Sequence, residues 1–504
     1  MSANKLIFEV EGKPSIGKLL IFAFQQVLAV LAATIAVPTI IGLPVQIPAA
    51  ILGAGLGTLV YLLFTKFKSP VVISSSFAFL GALGNAVAFG YMGIILGGLF
   101  AGLVYVVIAL VIRFAGTGWV EKLMPPVIIG PTVALIGLGL AGAAMGDIVK
   151  SSVGQPNVNY NLIALLCGLV TFFTVVICSV QNKFKFGRLV PFIIGILAGY
   201  AVASIFTAIG FAANVDYLKI INWGPLVNNF KNISFESFLT YPRFALIGGI
   251  QELVKGEVSA DILAANGGAH VITPVGIAEV ALAFVPVAFV TFAEHIADHK
   301  NLSTIINRDL LNEPGLSRTL LGDGVGSMVG TVFGICPNTT YGESVGCVAI
   351  TKKASVRTIF VAALMLIVLS FISPLTAALS TIPNAVMGGV CLTLYGFIAV
   401  SGFKMFQKVD LSKNKNLFTV AAILISGIGG LSLQIPYSIA KEDTVINGVP
   451  FVKGQVTNAI TITSIATALI LGIITMVVCN AIEKHNAPEE DEPADASSEQ
   501  KVEE

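Results

Sequence analysis

The chain has 504 residues, of which 55% are hydrophobic and only 11% are charged, against about 25% charged in an ordinary soluble domain. This composition excludes an ordinary soluble domain, and a net charge of +1 gives no reason to expect nucleic acid as a partner. Apolar runs of about 18 or more residues recur between Gly17 and Asn480, each long enough to cross a hydrocarbon core of about 30 Å as a helix. The sequence therefore predicts an all-α polytopic membrane protein.

The apolar sequence is divided by polar breaks into two series of seven segments each, which predicts fourteen transmembrane segments. The first series is predicted at 17–41, 49–65, 71–90, 92–113, 126–146, 160–181 and 189–212. The second series is predicted at 279–299, 317–334, 336–351, 358–379, 384–403, 417–436 and 457–482. Between them, residues 213–278 are polar enough to form an outward-facing loop, with a short helix at Ala245–Leu253.

The ends of the chain are polar. The first 16 residues carry four charged side chains and no short apolar segment with a cleavage site, so we expect the N-terminus to be retained. Residues 483–504 are acidic and contain no aromatic residue, which predicts a disordered tail. The six cysteines lie in or beside apolar runs without a CxxC pair, so we expect no disulfide framework, no metal site and no cofactor.

The basic residues are distributed unequally between the two sides of the predicted membrane. If the N-terminus is cytoplasmic, the loops on that side hold 22 of the 29 basic residues and the loops on the other side hold 7. Cytoplasmic loops of membrane proteins carry an excess of Lys and Arg. The distribution therefore predicts a protein of the cytoplasmic membrane with both termini in the cytoplasm.

Two of the fourteen segments are interrupted. "SPVVISSSFAFLGALG" (69–84) and "GICPNTTYGESVGCVAI" (334–350) both begin with extended, polar sequence and become helical only after an aromatic residue. They are the third segment of each series, and an odd number of segments per repeat inverts the second copy. Paired interrupted segments in two inverted halves indicate the binding site of a transporter. The alternative, a pair of surface loops, is disfavoured because no basic residue occurs from Thr319 to Thr351.

Ionisable side chains inside the predicted spans are few, and each costs about 2.5–3.5 kcal/mol at the centre of a membrane helix. The two strongest candidates are Glu294 in "VTFAEHIADHKNLS" and Glu343 in "CPNTTYGESVG". At a helix start, as predicted for Glu343, a carboxylate gains from backbone N–H groups and the helix dipole. For Glu294 and His295 the alternative is a solvated helix end at the cytoplasmic face, because Asp298 and Lys300 follow at once.

Two carboxylates beside aromatic rings and free backbone groups suit a small, flat, neutral molecule with several N–H donors and carbonyl acceptors, such as a nucleobase. Each Glu can accept an N–H, and Phe77 or Tyr341 can contact the ring face. A carboxylic acid in apolar surroundings can also exchange a proton near neutral pH, so proton coupling is expected from the same residues. Alternatively, the Ser76 hydroxyl only makes hydrogen bonds to neighbouring backbone groups, and the Phe77 ring only packs against its neighbours.

The motifs "AEH" (293–295), "RDLLNEPGLSRTLLGDG" (308–324), "PNTTYGESVG" (337–346), "SSFAF" (75–79) and "AGTGW" (115–119) closely resemble the nucleobase-ascorbate transporter family, and within it the bacterial uracil permeases. The resemblance covers residues 17 to 482. It implies a proton symporter, not an enzyme, whose inverted repeats form a core domain and a gate domain, with a homodimer formed through the gate. The third and tenth segments would contain short strands that cross at the substrate.

The resemblance also assigns domains and site residues. The implied boundaries are 1–16 for the cytoplasmic N-terminus, 17–114 and 279–380 for the core, 115–212 and 381–482 for the gate, 213–278 for the extracellular loop and 483–504 for the tail. The implied substrate-binding residues are Glu294, Glu343, Phe77, Tyr341, Gly342 and Ala33. Candidates for supporting the site or for proton coupling are Asp298, His295, Ser344, Ser76 and Thr340.

Two positions depart from the family pattern. Ser344 stands where the family signature has Asn, and Asp298 stands one helical turn after Glu294, where uracil permeases commonly have His. Purine-transporting relatives tend to carry Gln or Asn where this chain has Thr339–Tyr341, so the resemblance favours a pyrimidine. The alternatives are a purine or xanthine permease on the same fold and, from another class of substrate, an anion transporter of the same inverted architecture.

Overall fold

The computed structural model describes residues 6–151, 153, 160–181, 187–188, 190–239, 241–407, 409–440, 445–446, 449–450 and 455–485. The predicted tail from residue 486 onward and residues 1–5 lie outside the described residues. Residues 483–485, which were predicted to begin the tail, belong instead to the last helix.

The described chain is mostly helical. Its first nine helices are α1 Ile16–Ile40, α2 Ile47–Phe64, α3 Leu80–Val87, α4 Gly90–Ala115, α5 Gly118–Leu123, α6 Pro126–Gly139, α7 Ala141–Ile148, α8 Leu162–Val180 and α9 Pro191–Ala212. Then follow α10 Gly224–Lys231, α11 Ala245–Lys255, α12 Ala260–Ala265, α13 Pro274–Ile306, α14 Leu316–Phe333, α15 Gly342–Thr351, α16 Val356–Ser370, α17 Ser373–Leu379, α18 Asn384–Phe406, α19 Asn414–Ile428 and α20 Ser464–His485.

Among the described residues, six strands form three antiparallel pairs. The strands are β1 Ile73–Ser75, β2 Asn338–Thr340, β3 Leu433–Ala440, β4 Val445–Ile446, β5 Val449–Pro450 and β6 Gln455–Ile462. β1 pairs with β2, β3 with β6 and β4 with β5. Only the first of these pairs joins distant parts of the sequence, since β1 and β2 lie in the two interrupted segments.

By length and composition, nine helical segments among the described residues could cross a membrane, and three further apolar helices are shorter. Apolar side chains also cover the outside of the helices. On α4, for example, Leu103, Val107 and Phe114 are 52%, 51% and 85% exposed. A surface of this kind is stable next to lipid rather than water. The prediction of many membrane-spanning helices is thus confirmed, while the count of fourteen stays a prediction.

The helices pack in two groups. The first helix group consists of α1–α4 with α13–α16, and the second helix group consists of α6–α9 with α18–α20. Within each group, helices from the first half of the chain pack against helices from the second half, as α2 and α4 do against α14, and α6 does against α18. The two groups meet where α1 and α13 contact α6, α9, α18 and α20.

Close helix packing positions β2. A Cβ atom at Gly53 of α2 would lie 2.5 Å from the carbonyl oxygen of Gly330 on α14, so these backbones approach as only glycine permits. The side-chain amide of Asn338 sits beside this contact and donates to the carbonyl oxygen of Gly53 at 2.9 Å. A Cβ atom at Gly57 would lie 2.3 Å from that same amide nitrogen. Asn338 therefore fixes the start of β2 between α2 and α14.

Three of the predicted segments have bounds that differ from those of the helices in the structure. The segments predicted at 417–436 and 457–482 include parts of β3 and β6. The helix α19 ends at Ile428, and Gly430, with a φ of +74°, then turns the chain out of the helical direction. The loop 213–278 contains α10, α11 and α12, of which α11 confirms the expected short helix. The eighth segment, predicted at 279–299, is longer in the structure, since α13 runs from Pro274 to Ile306.

Candidate functional site

The two interrupted segments meet through β1 and β2. Their antiparallel register pairs Ile73 with Thr340 and Ser75 with Asn338. The strand pair is extended by a hydrogen bond from the backbone N–H of Ser76 to the carbonyl of Pro337 (2.9 Å). Non-helical backbone is tolerated at membrane depth where it is buried in protein or lines a cavity. Because the strands are antiparallel, α3 and α15 leave the pair in opposite directions.

A cavity of about 1100 Å³ adjoins this strand pair. Its wall combines residues of both helix groups, so the cavity lies at the boundary between them. The first helix group and its strand pair contribute Ser76, Phe77, Glu294, Asp298, Thr340, Tyr341, Gly342 and Glu343, and the second contributes Val133, Phe192, Phe397 and Ser401. Eight of the eleven residues singled out from the sequence therefore line one cavity, although they lie on four separate elements.

Glu294 and Glu343 face this cavity from different helices. Glu294 lies in the middle of α13, and its Oε2 has no hydrogen-bond partner among the described residues. Glu343 lies in the first turn of α15, where backbone N–H groups without helical partners and the helix dipole favour a negative charge. The two carboxylates are thus placed to accept hydrogen bonds from a polar ligand.

Asp298 adds a third carboxylate to the wall. Its Oδ2 accepts a hydrogen bond from the Thr340 hydroxyl at 2.9 Å. Its Oδ1 lies beside Gly342, where an added Cβ atom would be 3.9 Å away. The alternative of a solvated helix end at this point is wrong, because α13 continues to Ile306, and Asp298 and His295 are only 7% and 0% exposed.

His295 points away from the cavity into a buried polar cluster. Its Nδ1 lies 2.7 Å from Oδ2 of Asp323, and its Nε2 lies 3.0 Å from the Thr319 hydroxyl. The Thr339 hydroxyl also donates to Oδ2 of Asp323, at 3.4 Å. Asp323 therefore joins α14 to α13 and to β2, behind the cavity wall.

The sequence reasoning did not single out Asp323. A signal was present, since Asp323 is an acidic residue inside the segment predicted at 317–334, and an ionisable group there is a functional hypothesis by default. Its partners on other helices could not be read from the chain.

The other predicted residues have distinct positions. Tyr341 lines the cavity, but its hydroxyl is used by the scaffold, since it donates to the carbonyl oxygen of Ser75 at 2.6 Å. Phe77 lines the cavity and meets Tyr395 of α18 edge to face, with 5.3 Å between ring centroids. Ala33 is fully buried on α1 and is not among the cavity-lining residues.

Ser344, the first departure from the family pattern, supports the helix that carries Glu343. The backbone N–H of Val72 donates to its Oγ at 3.1 Å, and this hydroxyl donates to Oε1 of Gln26 at 3.0 Å. Ser344 is fully buried. The hydroxyl therefore ties α15 to α1 and to the residue preceding β1.

Replacement of Ser344 by Ala is expected to lower the melting temperature of the detergent-purified protein by about 2–4 °C. The change leaves the N–H of Val72 and the amide oxygen of Gln26 unpaired, at about 1–3 kcal/mol for a buried group. Ser204→Ala is the control, because the hydrogen bond of that hydroxyl in the described part of the chain goes to the carbonyl of Tyr200 in its own helix. Equal melting curves for the two variants would contradict the supporting role.

Known proteins resemble this chain over most of its length. Residues 17–435 match the model of a family described as a permease family. The uracil permease of Bacillus caldolyticus is 37% identical over 436 residues, which cover 86% of this chain and 90% of that protein. The chain belongs to the nucleobase-ascorbate transporter family of permeases. It is therefore a multi-pass membrane transporter and not an enzyme.

Two further uracil permeases are similar to this chain over a comparable length. The uracil permease of Bacillus subtilis is 34% identical over 438 residues, covering 86% of this chain and 91% of that protein. The uracil permease of Escherichia coli K12 is 32% identical over 433 residues, covering 84% of this chain and 88% of that protein.

Two solved structures share the fold of this permease. The transmembrane domain of the cyanobacterium bicarbonate transporter BicA has a TM-score of 0.50 at 15% identity, covering 82% of this chain and 97% of that one. SLC26A9 has a TM-score of 0.57 at 12% identity, covering 93% of this chain and 66% of that one. At such identities the likeness concerns the fold alone.

Proposed function

We propose that this permease imports a nucleobase, with uracil as the favoured substrate, together with protons across the cytoplasmic membrane. The observation that carries the proposal is the unpaired Oε2 of Glu294, which among the described residues has no hydrogen-bond partner although its residue lines the cavity. The buried hydroxyl of Ser76, on the same wall, is also without a partner in the described part of the chain. Buried polar atoms of this kind are satisfied by a bound polar molecule.

The geometry suits a small planar base. Uracil offers two N–H donors and two carbonyl acceptors in one plane. Glu294 and Glu343 accept N–H groups, while the backbone N–H of Gly342, at the start of α15, can donate to a carbonyl. The ring of Phe77 provides an apolar surface for the base. The uracil permeases of two Bacillus species and of Escherichia coli, as relatives over most of the chain, support uracil among the nucleobases.

Proton coupling rests on the three acids of the cavity. Glu294, Asp298 and Glu343 line one cavity, and three ionised carboxylates so close together repel one another. A proton on one of them removes part of that repulsion and supplies a donor for a carbonyl of the base. A carboxylate at position 298, in place of the His that uracil permeases commonly have, gives this chain an additional proton-binding group.

The position of the cavity supports movement between two bodies. The first helix group would be the core domain and the second helix group the gate domain of fourteen inverted-repeat segments, with the gate forming a homodimer. The cavity extends from the three carboxylates to Arg188, Lys300 and Lys404, which the charge distribution assigns to the cytoplasmic side. The structure would then be an inward-open state in which the substrate is released to the cytoplasm.

Uptake of radiolabelled uracil into proteoliposomes tests the proposal. We expect uptake to increase at least severalfold with an inward proton gradient and to be competed by excess unlabelled uracil, but not by xanthine. Competition by xanthine or hypoxanthine, without uracil uptake, would move the substrate to the purines. Uptake of bicarbonate or another anion, without nucleobase uptake, would contradict a nucleobase permease.

A further inference from the structure

The segment formed by residues 7–12, here the N-terminal strap, pairs with the chain that follows α15. The backbone N–H of Ile7 donates to the carbonyl of Lys352 at 2.7 Å. In return, the N–H of Ala354 donates to the carbonyl of Phe8 at 2.8 Å, and the N–H of Val356 donates to that of Val10 at 2.9 Å. The strap is therefore bonded to the end of α15 and to the start of α16.

Side chains of the strap alternate as in a strand. Phe8 and Val10 point inward. Val10 is 1% exposed in the core, and the ring of Phe8 lies 6.0 Å from that of Phe22 on α1. Ile7, by contrast, is 62% exposed. The hydroxyl of Ser355 donates to the carbonyl of Gly12 at 2.6 Å, at the C-terminal end of the strap. Backbone bonds and apolar burial thus hold the strap in place.

The far end of the strap reaches the other carboxylate-bearing helix. The two terminal guanidinium nitrogens of Arg308 donate to the two carboxylate oxygens of Glu11, at 2.5 and 2.8 Å. This bond lowers the pKa of Glu11, so the pair is charged at neutral pH. Arg308 lies two residues after the end of α13, and its backbone N–H donates to the carbonyl of Ser303 inside that helix at 3.1 Å. The position of Arg308 is therefore tied to the end of α13.

We propose that the N-terminal strap is a positioning element that fixes α13 and α15 relative to each other, and thereby sets the spacing of Glu294 and Glu343. α15 has ten residues and is short enough to tilt, with β2 holding one end and the strap the other. Glu343 lies eight residues before the end of α15 at Thr351, about 12 Å along the axis. The inference rests on the proposed function, because it assumes that these carboxylates hold the substrate.

Two truncations of the full-length permease test the strap. Removal of residues 2–12 deletes the strap, whereas removal of residues 2–5 leaves it intact and is the matched control. We expect the Kd for radiolabelled uracil in detergent to rise about tenfold in the first variant with an unchanged number of binding sites, and to stay unchanged in the second. A lower melting temperature with an unchanged Kd would overturn the proposal, because it would show a structural role alone.

A charge exchange covers the case in which the longer truncation does not fold. Glu11→Arg and Arg308→Glu should each raise the Kd about two- to fivefold, as expected for an exposed ion pair, and the double variant should restore it. Glu121→Arg is the matched control, since Glu121 is an exposed carboxylate on α5, outside the strap and the cavity wall. Failure of the double variant to restore binding would contradict a role of this pair.

Hydrogen exchange separates this proposal from the proposed function. If the wild-type protein does not bind uracil, the assignment of uracil as the substrate is wrong. The strap is then still tested by the backbone amides of residues 342–351, which should exchange faster without residues 2–12 than without residues 2–5. Equal exchange in the two truncations would contradict the positioning of α15.

Discussion

Replacing Glu294 or Glu343 with Gln is expected to abolish nucleobase uptake and to weaken substrate binding about a hundredfold. The glutamine keeps the shape of the side chain, but it removes the charge and presents an NH₂ group toward an N–H of the base. Hydrogen bonds to charged groups contribute about 1.5–3 kcal/mol, and 1.4 kcal/mol is a factor of ten in affinity. The effect should be largest for Glu294, whose Oε2 has no other partner among the described residues.

The measurement is equilibrium binding of radiolabelled uracil to purified protein, followed by uptake into proteoliposomes. Glu279→Gln is the matched control, because Glu279 lies on the same helix, α13, fifteen residues before Glu294, and is not among the cavity-lining residues. Binding within twofold of wild type in both cavity variants, with all three proteins equally folded, would show that the substrate binds elsewhere.

The predictable part of the site consists of residues whose side chains are energetically unfavourable in a membrane. Glu294 and Glu343 stand out in an apolar sequence because each requires a reason to be there. Phe77 and Thr340 were found through the extended, polar composition of the two interrupted segments. These local signals, together with the family motifs, predicted most of one cavity wall although the sequence gives no distances.

Contacts between distant residues could not be predicted in the same way. The role of Ser344 depends on Gln26 and Val72, which lie more than 250 residues earlier in the sequence. The strap residues 7–12 carry no motif, and their backbone bonds to the chain around Lys352 become visible only in three dimensions. The pairing of β3 with β6 was missed because its β-branched residues extend the hydropathy of the neighbouring helices.

Replacing Asp323 with Ala is expected to have the second-largest effect, a loss of stability of about 3–5 kcal/mol. The substitution leaves the ring of His295 and the hydroxyl of Thr339 without their shared acceptor in a fully buried cluster. Each of these two buried groups costs about 1–3 kcal/mol when it is left without a partner. The Asp323→Asn variant should lose less stability, because its amide oxygen can still accept one hydrogen bond. Thermal unfolding in detergent and gel-filtration profiles measure the difference.

The control for this prediction is Asp309→Ala, which removes an exposed carboxylate in the loop before α14, the helix that carries Asp323. The Asp309 carboxylate accepts hydrogen bonds from the backbone N–H of Leu311 and from the side-chain amide of Asn312. The control variant should unfold within about 1 °C of wild type. If Asp323→Ala instead folds normally, binds uracil with wild-type affinity and loses only gradient-driven uptake, its carboxylate handles the proton rather than holding the cavity wall. Asp323 would then join Glu294, Asp298 and Glu343 as a proton-binding group, because it reaches β2 through Thr339 just as Asp298 does through Thr340.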